Sequence, residues 1–289
     1  MDRIRQKNAG LKIDRKIIET SADTGKGRSL FSLQQRGIFD REVDQAVLEG
    51  RVDFAVHNMK DVPVNDRNTR LIIASVPERS SPAEVLVSNG DRRLKDLAVG
   101  SKVGTSSPIR LAQLRRVRPD VKPEPLFGDV ETRIERVDRG ELGGVILAEA
   151  GLAKLGIAER ISERLSIDEF MPAPGQGALA IVARRDNLKV IETLKSVEHL
   201  PTRAEVDAER ELVRILEETS KVPVGGLAAV RRNQIQVKTC ILSVDGMERL
   251  FATRSGNTTD GMKLAHEIGE ELVAKGAVAI GETWRNARR

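Results

Sequence analysis

Apolar and polar positions repeat along the chain with two periods, and the changes between them lay out its elements. Ile13, Arg15, Ile17 and Glu19 alternate, with Ile18 mixed in, which predicts a strand over 13–20. Residues 20–28 then have the composition of a mobile loop. A helix opens at Ile38, carries Val43, Ala46 and Val47 on one face, and ends at Gly50. From Val52 an apolar strand pattern runs into Lys60, Asp61 and Pro63, and Pro63 forbids ladder pairing, so the charged pair belongs at the strand's carboxyl end. Further strands are predicted over 71–76, 83–88, 102–104, 144–148 and 178–183, with helices opening at Pro108 and Val130. The last third reads as a helix over 203–218, strands over 235–244 and 249–254 joined through Asp245 and Gly246, and a helix with Leu264, Ile268 and Leu272 on one face ended by Gly276.

Alternating strands and helices place the first two thirds in the α/β class, and 289 residues exceed what one core usually accommodates. The polar stretch 77–82 and the proline- and glycine-rich stretch 171–177 mark two crossings between lobes, which makes a hinge the expectation. The predicted organisation is one lobe from 1–78 and 178–196, a second from 79–177, and an α+β domain over 197–289.

Composition narrows the chemistry. The 39% hydrophobic and 31% charged fractions describe a soluble globular chain, and no apolar run nears the roughly 18 residues of a membrane span. No apolar stretch opens the N-terminus, so the cytoplasm is the expected location. Cys240, the only cysteine, rules out an internal disulfide, and His57, His199 and His266 are too scattered for a metal cluster, so no metal is implied. A net charge of +5 fits an anionic small ligand, whereas 2% aromatics and the lack of a finger or helix-turn-helix signature argue against nucleic acid.

Lys60 and Asp61 fall where open α/β sheets bind ligands. In Val103-Gly104-Thr105-Ser106-Ser107-Pro108-Ile109-Arg110 a strand enters a helix through three hydroxyls, with Ser107 placed to cap and Pro108 at the first helical position. Such a helix N-terminus offers free N–H groups and partial positive charge to a carboxylate or phosphate, with Arg110 one turn in. Capping alone also explains Ser107, and both readings stand at this point.

A second loop-to-helix entry, Gly128-Asp129-Val130-Glu131-Thr132-Arg133, and the segments Ala148-Glu149-Ala150-Gly151-Leu152-Ala153-Lys154-Leu155-Gly156 and Pro172-Ala173-Pro174-Gly175-Gln176-Gly177 complete a set. With Asp53-Phe54-Ala55-Val56-His57-Asn58-Met59-Lys60-Asp61-Val62-Pro63 and the Thr105 segment, they resemble, in order, the motifs of the porphobilinogen deaminase (hydroxymethylbilane synthase) family. The resemblance spans about residue 13 to the end. It implies two lobes shaped like a type II periplasmic binding protein, hinged over a cleft, and a third domain carrying a dipyrromethane cofactor on a cysteine. It implies a monomeric enzyme that condenses four porphobilinogens with loss of ammonia. In that picture Asp61 is catalytic, and Lys60, Thr105, Ser106, Ser107, Arg110, Arg133, Lys154 and Gln176 hold the acetate and propionate groups.

The chain departs from the family pattern where the cofactor is anchored. Glu218-Thr219-Ser220-Lys221-Val222-Pro223-Val224-Gly225 matches a loop whose cysteine is here Ser220, and a serine hydroxyl needs an adjacent base to become a nucleophile. Ile109 and Phe127 stand where the family has arginines, and Lys154 replaces another, which removes planar bidentate carboxylate partners. The family's first strand and the turn after it have no counterpart. Two functions follow: a porphobilinogen deaminase, favoured by Lys60 and Asp61, or a catalytically impaired paralogue binding an anionic pyrrole, favoured by Ser220, Ile109 and Phe127. A secreted solute receptor, suggested by fold analogy alone, is disfavoured by the missing leader.

Overall fold

The computed structural model describes residues 2–18, 41–64 and 68–287. In chain order its elements are α1 (Asp2–Lys7), α2 (Arg41–Leu48), β1 (Phe54–Asn58), β2 (Leu71–Ser75), β3 (Glu84–Ser88), β4 (Lys102–Gly104), α3 (Pro108–Val117), β5 (Lys122–Glu124), α4 (Val130–Asp138), β6 (Gly144–Ala148), α5 (Glu149–Leu155) and β7 (Glu163–Arg164). They continue with β8 (Leu179–Arg184), α6 (Leu188–Lys195), α7 (Leu200–Thr219), β9 (Val224–Arg231), β10 (Gln234–Leu242), β11 (Arg249–Asn257), α8 (Gly261–Ala274) and α9 (Ala277–Asn286).

These strands form three sheets, in the orders β1-β8-β2, β5-β4-β6-β3-β7 and β11-β10-β9. In the first, β8 runs antiparallel to both neighbours, with Val56 opposite Ile181 and Ile72 opposite Ala183. The second is mixed: β4 is parallel to β5 and β6, while β3 is antiparallel to β6. Its central strands β3 and β6 are almost wholly buried, as expected for continuous apolar runs covered on both faces. The third is an antiparallel meander packed under α7, α8 and α9, whose core includes Leu212, Leu216, Val237, Ile241, Ile268, Leu272 and Trp284.

Helix α3 joins the second and third sheets because its two faces are used differently. Ile109 and Ala112 belong to the third sheet's core, and Gln113 Nε2 donates to the Met171 carbonyl at 3.0 Å. Leu114 faces the second sheet's core with Leu86, Val103 and Ile146. Near its end, Arg115 donates to the Val244 carbonyl at 2.6 Å.

The α/β and α+β classes expected from the pattern are present, with corrections in detail. Residues 13–18 form no strand: Ile13 packs against the cluster of Ile4 and Ile181, but Ile17 is exposed and no ladder partner lies alongside among the described residues. The rest of that predicted strand, the loop over 20–28 and the opening at Ile38 fall outside the described residues. β9 escapes the pattern because Pro223, Gly225 and Gly226 dilute its β-propensity. Gly225 is needed there, since a Cβ would lie 3.0 Å from both Cys240 Sγ and Met171 Cβ. Among the described residues no helix is long and apolar enough to cross a membrane, and no three His, Cys, Asp or Glu side chains gather as a metal site.

Candidate active site

The turn after β1 carries the first two candidates. Met59 and Val62 are buried and draw the chain into the first core, while the Met59 N–H donates to the Ala178 carbonyl at 2.9 Å and the Val62 N–H closes onto Met59 at 3.2 Å. The resulting 3-10 turn, Met59–Asp61, leaves Lys60 and Asp61 half-buried at the rim, one step beyond the strand's carboxyl end. Arg210 of α7 fixes the turn from behind by donating to the carbonyls of Val62 (3.1 Å) and Pro63 (2.8 Å). Gly175, at φ +81°, lets the return crossing lie against it, since a Cβ there would sit 2.9 Å from the Lys60 nitrogen.

Gln176 ties this turn to the second sheet. Its Oε1 accepts from Lys60 Nζ at 3.4 Å and from Arg110 at 3.2 Å, and its Nε2 donates to the Pro82 carbonyl at 2.9 Å. Arg110 is buried, and its other donors go to Glu84 (2.8 and 2.6 Å) and the Ile146 carbonyl (3.0 Å). This differs from the expected grip on a ligand carboxylate: a guanidinium inside α/β packing needs a carboxylate of its own, and Glu84 is that partner. Gln176, also buried, is likewise engaged with the protein.

Arg133 is placed differently. Its Nε donates to the Gly128 carbonyl at 2.9 Å, and among the described residues its two terminal nitrogens have no partner. Burial pushes its pKa down, Arg110's cation adds to that, and Asp129 opposes both; a guanidinium stays charged regardless. Asp129 caps α4 by accepting from the Thr132 N–H at 2.8 Å, which holds its carboxyl below the usual range. Lys60 is pushed down by burial and by the cations of Arg110 and Arg133, with Asp61 and Glu84 pulling the other way. Asp61, Glu84, Arg110 and Arg133 therefore all lie within electrostatic reach of Lys60. Asp61 accepts from Asn58 Nδ2 at 3.0 Å through one oxygen, and its other oxygen accepts nothing among the described residues.

Of the three hydroxyls before α3, two are spent. Thr105 is buried and its Oγ1 accepts from the Ser107 N–H at 3.2 Å; Ser106 Oγ donates to the Leu126 carbonyl and accepts from the Leu126 N–H at 3.2 Å. Ser107 occupies the capping position before Pro108, yet its hydroxyl makes no cap bond, so among the described residues the first helical N–H groups have no side-chain cap. Lys154 is exposed on α5, and nothing in the structure ties it to Lys60 or Arg133. Ile109, which stands where the family has an arginine, is buried in the third core. Phe127 is 42% exposed beside Gly128, where an added guanidinium could reach solvent.

Ser220 does not fit covalent attachment of a dipyrromethane. It caps the end of α7, only 1% exposed, with its hydroxyl donating to the Leu216 carbonyl at 2.6 Å, and among the described residues no basic side chain hydrogen-bonds to it. Cys240 is equally enclosed on β10, and burial pushes its thiol pKa up, away from the reactive thiolate.

Sequence reasoning missed Glu84, Asn58 and Arg210. Glu84 left a signal: a carboxylate opening the apolar run Val85-Leu86-Val87 requires a buried cation. Asn58 reaches Asp61 three residues on through the local turn, whereas Arg210 acts on carbonyls whose proximity only the fold creates.

Residues 1–192 match the family profile described as "Porphobilinogen deaminase, dipyromethane cofactor binding domain", and residues 203–274 match "Porphobilinogen deaminase, C-terminal domain". A "Probable porphobilinogen deaminase" of Nitrosopumilus maritimus is 39% identical over 93% of this chain and 86% of its own length. A "Porphobilinogen deaminase" of Desulforudis audaxviator is 38% identical over 97% and 90%, and a "Probable porphobilinogen deaminase" of Methanothermobacter thermautotrophicus 41% identical over 90% and 89%. The chain belongs to the porphobilinogen deaminase family.

Proposed function

We propose that this chain condenses porphobilinogen units, with loss of ammonia, into hydroxymethylbilane for tetrapyrrole synthesis, acting in the cytoplasm as a monomer without metal or nucleic acid. The lobes are read as 1–78 with 178–196 and 79–177, followed by 197–289. The observation that carries the reading is Asp61, a carboxylate with one oxygen unpartnered among the described residues and within electrostatic reach of Lys60.

Chemistry follows from that arrangement. Lys60, Arg133 and the Ser107 end of α3 offer donors to the acetate and propionate groups, which holds a pyrrole ring by its periphery and leaves its reactive methylene at Asp61. When the C–N bond to the aminomethyl group breaks, ammonia departs and the ring becomes an azafulvenium cation; the Asp61 carboxylate stabilises that positive charge where it develops. The free α-carbon of the next pyrrole closes the new C–C bond and gives up its proton. Arg110, Gln176 and Glu84 stand behind, fixing Lys60.

The test is to supply purified protein with porphobilinogen and follow its disappearance, released ammonia and hydroxymethylbilane. Formation of the bilane with one ammonia per pyrrole consumed supports the reading; no consumption overturns it. The enclosed Ser220 favours a second reading, an impaired paralogue that binds anionic pyrroles, which the same assay separates: saturable binding without ammonia release.

A further inference from the structure

We infer that the chain holds linear pyrrole polycarboxylates reversibly, through their carboxylates alone, and carries no covalently attached pyrrole. This rests on the cleft assigned above and concerns what anchors its occupant.

Covalent attachment at residue 220 needs a nucleophile, a base and a path, and none is present among the described residues. The Ser220 hydroxyl is turned back onto Leu216, whose carbonyl also receives the N–H groups of Ser220 (3.0 Å) and Lys221 (3.2 Å). Ahead of it the chain bends sharply through Lys221, at φ +56°, into buried Val222. Over it lies α9: the Ser220 carbonyl fills the place a Cβ would take on Gly281, so the two backbones are in contact. That helix is fastened in turn by buried Trp284, whose Nε1 donates to the Leu242 carbonyl at 2.7 Å. Reaching the Ser220 oxygen requires lifting α9 off the third core. Cys240 is no substitute, being packed between Gly225, Met171 and Gln113.

What remains for a pyrrole chain is noncovalent: the free ends of Arg133, the ammonium of Lys60, and Ser107 with the open N–H groups of α3. Such contacts bind carboxylates and release them. The consequence is chemical. Each condensation breaks one CH2–N bond, forms one CH2–C bond and releases ammonia, and the last methylene takes a hydroxyl from water. With no covalent tether, a chain of any length leaves by dissociation, so two- and three-ring products escape beside the four-ring one.

The experiment incubates the full chain with porphobilinogen and reads three things: intact mass after denaturation, Ehrlich-reactive material before and after gel filtration, and product lengths by chromatography with mass detection. Expected are the unmodified protein mass, chromophore that coelutes only while free ligand is present, and two- to four-ring products. A mass increase that survives denaturation overturns the inference while leaving the proposed activity standing. Exchangeable binding without ammonia release supports the inference and overturns the activity. No binding and no consumption overturns both.

Discussion

The turn at Lys60 and Asp61 and the end of α7 at Ser220 are both matched to family motifs, yet the structure treats their polar groups in opposite ways. At the first, buried Met59 and Val62 hold the backbone and leave Asp61 with an oxygen unpartnered among the described residues. At the second, the side chain itself is consumed, since the hydroxyl bonds its own helix beneath α9. A motif residue can act on a ligand only if its hydrogen-bonding capacity is left over after folding. Arg110 and Arg133 repeat the lesson: one guanidinium is spent on Glu84, Ile146 and Gln176, while the other keeps two nitrogens without a partner among the described residues.

The largest effect expected from this contrast is on stability. Ile109→Arg restores a family residue on paper but puts a charge into the third core, and should cost about 3–5 kcal/mol, read as a lower unfolding midpoint in urea. A variant as stable as the parent would mean that α3 is not docked as described.

Asp61→Asn comes next. Removing the charge that meets the developing cation should lower porphobilinogen consumption by roughly a hundredfold or more with the unfolding midpoint unchanged. Activity within a few fold of the parent would take Asp61 out of the chemistry.

Phe127→Arg sharpens the comparison from the other side. At a 42% exposed position the change should alter stability by no more than about 0.5 kcal/mol and tighten porphobilinogen binding by up to about tenfold, measured by calorimetry. Unchanged affinity would place residue 127 outside the ligand's reach.

The smallest effect is a pH slope. Burial lowers the Lys60 pKa from its ordinary 10.5, so between the lowered value and 10.5 the unfolded chain binds this proton more than the folded one does. Stability therefore gains from Lys60 as pH rises through that window, whereas carboxylate binding, which uses the ammonium, weakens. Lys60→Arg should remove the alkaline loss of affinity, and a loss identical in both proteins would assign it to another group.

Much of the fold was legible, for reasons that also explain what was not. Continuous apolar runs gave β3 and β6, and Pro63 and Pro108 placed Lys60, Asp61 and Ser107 at element ends. β9 was hidden because Gly225 answers to Cys240 and Met171, and Gly226 to Pro174 and Leu212, contacts no local pattern contains. The face of Ile109 was unreadable for the same reason: α3 packs on two sheets, and the one that claims Ile109 lies more than a hundred residues further along. Arg110 looked like a ligand residue because its partner, Glu84, stands on strand β3, remote from α3 in sequence.

The most direct measurement pairs the two arginines. Arg133→Met and Arg110→Met are each assayed for unfolding midpoint and for porphobilinogen affinity. Expected is a separation: Arg133→Met keeps the midpoint and loses affinity by about ten- to a hundredfold, while Arg110→Met, which strands buried Glu84, loses about 3–5 kcal/mol of stability. Equal loss of affinity with no loss of stability in both variants would contradict the division between spent and unspent donors.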